Sequence, residues 1–390
     1  MSKDSLSIEA LCAGLEIPER VQSFRDIPCG KVVFGAGTLS TIGAESASLG
    51  AKRALIVTDP GLSKTSAVGR AEESLCSEGI AVSIFDEVRE NPTTTDVARC
   101  VEAAREGEVD LIIGLGGGSS MDTAKGANFI LTNGGEMKDY WGVDKATKPM
   151  LPLIAVPTTS GTGSECQSFA LIADAETHAK MACGDTKAAA RVAILDPELT
   201  LTMPTAVTAN TGIDAMAHAI ETSVCRKADE ISFAYSRAGW LLLDSAFQVV
   251  MTDPSNIEAR ARMQLGAAFA GTAIENSMLG IAHSCANPLT AHYGVVHGQA
   301  VGTMMPHVIR FNGEDSTVAS VYESLYFGDL AGRIREHLSG AGMAKPLQDL
   351  GVEKSLLPQL AEEAANQWTA QFNPREVDAS SLLQVYEGAF

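Results

Sequence analysis

The sequence lacks the features that would place it in a membrane or an oxidising compartment. Its eight cysteines, at 12, 29, 76, 100, 166, 183, 225 and 285, form no C-x-x-C pair and no zinc-finger spacing. Neither a disulfide framework nor a zinc knuckle is indicated, and free thiols fit a reducing cytoplasm. No apolar stretch approaches the roughly 18–20 residues that span a bilayer. The opening MSKDSLSIEALCAG has no basic stretch followed by an apolar one, which argues against a secretory signal. Basic residues are scarce as well: 29 Lys and Arg face 48 Asp and Glu, a net charge of −19. Such a surface argues against nucleic acid and anionic membrane as partners. Internal repeats and low-complexity tracts are missing too.

What is present is a chain of 390 residues, long enough for two domains, with glycines gathered in short runs. Beyond a partly helical segment over 1–28, strand-like runs lie at 31–37, 53–59, 80–88, 109–118 and 151–159. Helical patterns intervene at 62–78, 94–106 and 120–132. Strand, helix, strand at this cadence predicts a mostly parallel sheet covered by helices. After about residue 200 the periodic segments are helical, at 206–225, 228–251, 256–283 and 297–311, with three further helices over 326–390. The expected organisation is an α/β domain over 1–200, carrying the extension 1–28, and an all-helical domain over 201–390.

Three loops at predicted strand ends suit a nucleotide. The run GLGGGSSMDTAKG (114–126) leaves a strand and opens a helix. There Gly116, Gly117 and Gly118 let the backbone approach a phosphate beside free helix N–H groups. Ser119 adds a hydroxyl, and Asp122 falls in the first turn. Asp59, after the strand RALIVTD, is placed to accept from ribose hydroxyls and to repel a 2′-phosphate. PTTSGTGSE (157–165) follows another strand and brings Thr158, Thr159 and Thr162. Each loop alone also fits an ordinary turn.

The second half holds a metal-like constellation. In GIDAMAHAIE (212–221), Asp214 and His218 stand four apart and share a helix face. GIAHSCANPLTAHYGVVHG (280–298) adds His283, His292 and His297, with Pro288 expected to break the helix so that His297 folds back toward His283. Three imidazoles and a carboxylate suit Fe(II) or Zn(II) rather than Mg or Ca. Each histidine alone also fits a hydrogen-bonded structural role, to which His178, His307 and His337 are assigned.

Over roughly 31–390 the chain resembles the iron-containing (group III) alcohol dehydrogenases. The shared patterns are GGGSSMDTAK at 116–125, PTTSGTGSE at 157–165, GIDAMAHAIE at 212–221, and the histidines at 283 and 297, the second followed by Gly. The resemblance implies a Rossmann-like dinucleotide-binding domain over 1–200 and an all-helical metal-binding catalytic domain over 201–390, with the metal on Asp214, His218, His283 and His297. It also implies pyrophosphate on Gly117, Gly118 and Ser119, with Thr158, Thr159 and Thr162 lining the cofactor and Lys180 near the nicotinamide. Asp59 matches the position that favours NAD over NADP. The implied reaction transfers hydride between a small alcohol or aldehyde and NAD(H), the metal acting as Lewis acid on the substrate oxygen, in a homodimer or larger homo-oligomer. Phe169 and Ile274 align with pocket-lining positions, suggesting an apolar pocket. The chain departs from the family at Asn287, where many members carry a substrate-proximal histidine. Asn287 thus joins His283 and His297 at the expected catalytic centre but cannot relay a proton. The alternatives are a dehydroquinate-synthase-like sugar cyclase, which would want Lys and Arg that 212–221 and 280–298 lack, and a non-catalytic relative.

Overall fold

The computed structural model describes residues 6–177 and 179–390, so the structural role expected of His178 lies outside the described residues. Two short helices, α1 (Ile8–Cys12) and α2 (Glu19–Gln22), come first. The chain then runs β1 (Val32–Phe34), α3 (Ile42–Ser48), β2 (Arg53–Val57), α4 (Ser66–Ser77), β3 (Ala81–Phe85), α5 (Thr94–Glu106), β4 (Leu111–Gly116) and α6 (Gly118–Asn133). Next come β5 (Gly142–Val143), β6 (Leu153–Pro157), β7 (Phe169–Ala173), β8 (Lys180–Gly184) and β9 (Val192–Leu195). The remainder is helical: α7 (Thr205–Val224), α8 (Glu230–Thr252), α9 (Ile257–Glu275), α10 (Ile281–Tyr293), α11 (His297–Asn312), α12 (Ser316–Leu325), α13 (Leu330–Gly340), α14 (Leu357–Ala365) and α15 (Ala379–Ala389). This is the α/β plus all-α architecture that the sequence pattern predicts.

The chain divides into two compact units. Among the described residues, one comprises 6–10, Ile27–Thr159 and Gly163–Thr202; the other comprises Leu11–Asp26, Ser160–Thr162 and Met203–Phe390. In the first, six parallel strands lie in the order β1-β9-β6-β4-β2-β3. Side-chain alternation fills both faces, as a parallel sheet requires. Leu55, Val57 and Ile112 pack with Val97, Val101 and Met121 on one side. Ala54, Ile56 and Ile113 pack with Val68, Ala71 and Leu75 on the other. The connection from β2 runs outward to β3, and the chain then returns to lay β4 on the opposite side of β2. The winding therefore reverses between β2 and β4, and ligands of open α/β sheets bind at the carboxyl ends of such a pair.

A three-stranded sheet, β5-β8-β7, was not legible in the sequence; β7 and β8 form an antiparallel hairpin. In the second unit, α7, α8 and α9 build a core around Ile213, Trp240, Phe247 and Met263, with α10 and α11 adding Leu289, Val301 and Met304. Leu11–Asp26 packs into this unit through Phe24, whose ring lies tilted against Phe269 with centroids 4.9 Å apart.

Two helix expectations are corrected. The predicted helix over 256–283 is two helices, because Asn276 ends α9 and Gly280 precedes α10. Asn, Ser and Gly over 276–280 propagate a helix poorly. Nor does Pro288 break its helix: α10 continues through it and stops at Gly294, whose φ is +64°. A helical proline costs roughly 3 kcal/mol, yet Pro288 is accommodated, buried, inside α10.

The helix that begins at His297 lies against α7 at backbone distance. A Cβ on Gly298 would collide with the Asn210 carbonyl. Gly298→Ala is therefore expected to cost about 1–3 kcal/mol through overpacking, read as a lower urea midpoint. An unchanged midpoint would contradict this close approach.

Candidate functional site

Helix α7 presents Asp214 and His218 one turn apart, with Glu221 a further turn along the same face. All three are buried, and α10 brings His283 beside them. The half-buried His297 arrives as the first residue of α11. Three imidazole nitrogens converge on one carboxylate oxygen. Asp214 Oδ1 lies 3.3 Å from His283 Nε2, 3.5 Å from His218 Nε2 and 3.6 Å from His297 Nε2. Asp214, His283 and His297 each offer a ligand atom within 4.8 Å of the others. His218 falls outside that mutually close set, although it shares the same oxygen and stacks on His283 with centroids 4.9 Å apart.

The donor set fits a divalent metal on two grounds. Among the described residues, Asp214 Oδ1 and His283 Nε2 are buried with no hydrogen-bond partner besides each other, an expensive state for polar atoms unless something else binds them. The three separations from Asp214 Oδ1 also approach the roughly 3.3–3.5 Å between neighbouring donors that bonds of about 2.0–2.1 Å give, although His218 lies farther from the other imidazoles than such a shell requires.

Sequence reasoning quoted Glu221 within its pattern but gave it no role. Its Oε2 lies 2.6 Å from His283 Nδ1, and its Oε1 accepts the Ala282 amide at 2.6 Å. A carboxylate on the far nitrogen fixes the tautomer that leaves Nε2 facing the donor cluster. The available signal was its spacing, seven residues after Asp214 and three after His218.

Charge follows this geometry. Burial disfavours the charged form of His283, but Glu221 and Asp214 outweigh it and raise its pKa to about 9. Burial pushes His218 down, toward the neutral imidazole that a metal requires. Asp214 is opposed by burial yet held well below the usual carboxylate range by His218, His283 and His297.

The glycine loop closes β4 at the winding reversal. Gly116 has φ +156°, and a Cβ there would collide with the Ser120 hydroxyl and stand 3.7 Å from Asp59 Oδ2. The structure thus brings Asp59 beside the Gly116 turn. The other carboxylate oxygen of Asp59 accepts the Gly61 and Leu62 amides at 2.9 and 3.0 Å. Helix α6 starts at Gly118 with no side chain capping it, which leaves first-turn amides suited to an anion. Thr158 donates its amide to the Gly116 carbonyl at 2.9 Å, and a Cβ on Gly117 would approach Thr159 to 3.4 Å. Ser119 and Thr162 are half-buried.

Asp122 faces away from a simple phosphate role. It accepts from the Ser164 hydroxyl at 2.9 Å, and burial raises its pKa against the pull of Lys125 and Lys180. Lys180 itself is exposed on β8. Beneath the loop sits Lys125, fully buried, whose ammonium donates to the carbonyls of Ser164, Gln167 and Phe169 at 2.6–3.0 Å and to the Ser164 hydroxyl. It anchors the chain that follows the threonines, a role the sequence pattern did not assign.

Other expected residues stand apart. His292 is exposed and pairs with Glu363 at 2.7 Å. His337 is buried on Asp244 at 2.8 Å, and burial together with Arg335 and Arg310 lowers His307 to about 4. Asn287, one turn beyond His283, donates to Gln367 Oε1 at 3.1 Å. Phe169 is half-buried on β7 and Ile274 is buried in α9.

Comparison with known proteins covers both halves of the chain. Residues 29–197 match the family model described as iron-containing alcohol dehydrogenase, and 208–390 match the C-terminal model of the Fe-containing alcohol dehydrogenase family. An NAD-dependent methanol dehydrogenase of Bacillus methanolicus is 32% identical over 374 residues, covering 92% of this chain and 97% of the relative. A 1,3-propanediol dehydrogenase of Klebsiella pneumoniae is 32% identical over 379 residues, covering 92% and 96%. Among solved structures, a 1,3-propanediol oxidoreductase superposes with a TM-score of 0.90 at 31% identity, covering 93% of this chain and 98% of the other. The chain belongs to the iron-containing alcohol dehydrogenase family.

Proposed function

We propose that the chain is an NAD-dependent dehydrogenase of small alcohols and aldehydes that holds one Fe(II) or Zn(II) on Asp214, His218, His283 and His297. The observation that carries this reading is the convergence of three imidazole nitrogens on the buried, hydrogen-bond-deficient oxygen of Asp214. When bound, the metal supplies a Lewis-acidic charge for the substrate oxygen and the nicotinamide carries the hydride.

The chain's own residues do the rest. Glu221 holds His283 in register, so the geometry is set before substrate arrives. Gly116, Gly117, Gly118 and Ser119 supply the close backbone and free amides for the pyrophosphate, with Thr158, Thr159 and Thr162 on the following loop. Asp59 accepts from the ribose and disfavours a 2′-phosphate, which selects NAD over NADP. Lys180 completes the cofactor side. Asn287 orients substrate by hydrogen bonding but exchanges no proton. The eight cysteines form no disulfide, which fits a cytoplasmic enzyme. Family membership supports a homodimer or larger assembly.

The test is NADH oxidation by short aldehydes, on protein purified without oxygen and loaded with Fe(II) or Zn(II), with and without chelator. Turnover that chelator abolishes and metal restores is expected; chelator-resistant turnover would contradict the reading. His283→Ala is expected to lose metal and activity together. Glu221→Gln keeps the four donors yet offers one acceptor where two are used, so metal affinity is expected to fall about 10- to 100-fold, measured by chelator competition.

The raised pKa of His283 gives a signed pH dependence. Its stabilising contribution is complete below the ordinary value near 6.5 and disappears as pH rises through about 9. Chelator-treated protein is therefore expected to lose melting temperature between pH 6.5 and 9. Metal-loaded protein should lack this loss, and loading at pH 7 should release protons. Superimposable profiles with and without metal would contradict the assignment.

A further inference from the structure

Helix α10 carries His283 in its first turn, yet the residue at its head, Gly280, has no side chain with which to cap it. Gly280 occupies the N-cap place: its carbonyl accepts the Ser284 amide at 3.3 Å and the Ser284 hydroxyl at 3.1 Å. The cap comes instead from α7. Glu221 Oε1 accepts the Ala282 amide, the second of the helix, at 2.6 Å, the bond that a Ser or Asp at position 280 would make. Its Oε2 meets His283 Nδ1 at 2.6 Å. One buried carboxylate therefore caps α10 and orients the histidine of that helix, and it does both because position 280 leaves the place open.

Room for a side chain is missing as well. Gly280 is buried, and its φ of −126° lies outside the left-handed region that favours glycine, so space rather than conformation is at issue. A Cβ there would stand 3.0 Å from Glu221 Oε1 and 3.2 Å from Asn373 Oδ1. Neither wall is free to give. Glu221 is held through both of its oxygens. Asn373 is locked in a reciprocal carboxamide pair with Asn312, with bonds of 3.0 and 2.8 Å, and its Nδ2 also donates to the Arg375 carbonyl at 3.0 Å. Glu221, Asn312 and Asn373 are all buried, so solvent does not make good a bond that is displaced.

Resting on the metal reading above, we propose that Gly280 and the Asn312–Asn373 pair are positioning residues for the metal site. The missing side chain at 280 leaves the head of α10 to Glu221, and the carboxamide pair closes the opposite side. The His283 ring is thereby set before a metal arrives. Position 280 tunes metal affinity without contributing a donor atom. A side chain that capped α10 from position 280 would keep the helix stable and displace Glu221, so helix stability and metal affinity part company at this residue.

The test is chelator competition for Zn(II), together with the melting temperature of chelator-treated protein. It is run on the parent chain, on Gly280→Ala, on Gly280→Ser, and on the double variant Gly280→Ala with Asn373→Ala. The alanine adds the Cβ alone, whereas the serine adds it with a hydroxyl that caps α10. Both single variants are expected to bind Zn(II) about tenfold or more weakly than the parent. The serine variant is expected to melt above the alanine variant, because it replaces the cap it displaces, while binding Zn(II) no better. Asn373→Ala opens the opposite wall. The double variant is therefore expected to melt lower than Gly280→Ala, since Asn312 loses its partner, while its affinity recovers toward that of the parent. Parent affinity in both single variants, or affinity that follows melting temperature through the whole set, would overturn the proposal and leave the metal reading intact. A parent that holds neither Zn(II) nor Fe(II) would overturn that underlying reading, and the proposal with it.

Discussion

One oxygen atom organises the second half of the chain. Among the described residues, Asp214 Oδ1 is buried, has no hydrogen-bond partner besides His283, and stands 3.3–3.6 Å from three imidazole nitrogens supplied by three helices. Charge in such surroundings is expensive unless something of opposite sign compensates it. Without metal the compensation is a proton, retained on His283 up to about pH 9 by Glu221 and Asp214. A divalent cation is the stronger compensator, and it competes for the same Nε2. On the proposed metal reading, the cluster links metal binding, proton release and stability in one equilibrium.

Much of the surrounding packing follows from bringing α7, α10 and α11 to that point. Gly298 allows α11 to lie against the α7 backbone, so that His297, its neighbour, reaches Asp214. Glu221 ties α7 to α10 through both of its oxygens, one on the Ala282 amide and one on His283. On the α/β side the corresponding constraint is topological. The reversal of winding between β2 and β4 puts Asp59 and Gly116 side by side at two strand ends, and the buried ammonium of Lys125 pins the loop that follows β6.

The sequence revealed more about chemistry than about helix ends. The shared helix face of Asp214 and His218 was legible because a four-residue interval on a helical pattern has one geometric meaning, whereas the glycine loop taken alone also fits an ordinary strand-to-helix turn. The break between α9 and α10 was not legible, since 256–283 keeps its apolar period across Asn276–Gly280. Pro288 misled because the cost of a helical proline is local, whereas its burial inside α10 is a tertiary feature. The β7–β8 hairpin escaped notice because its strands are short and its turn carries no strong turn dipeptide. Glu221 and Lys125 act through partners 62 and 39–44 residues away, distances at which no sequence period reports.

The most direct measurement is an X-ray absorption spectrum of the metal-loaded protein, which counts imidazole ligands through their outer-shell scattering. Three imidazoles and one carboxylate oxygen at about 2.0–2.2 Å are expected, with one imidazole contribution lost in His297→Ala. A shell with fewer than three imidazoles, or one unchanged in that variant, would contradict the convergence of these residues on a single metal.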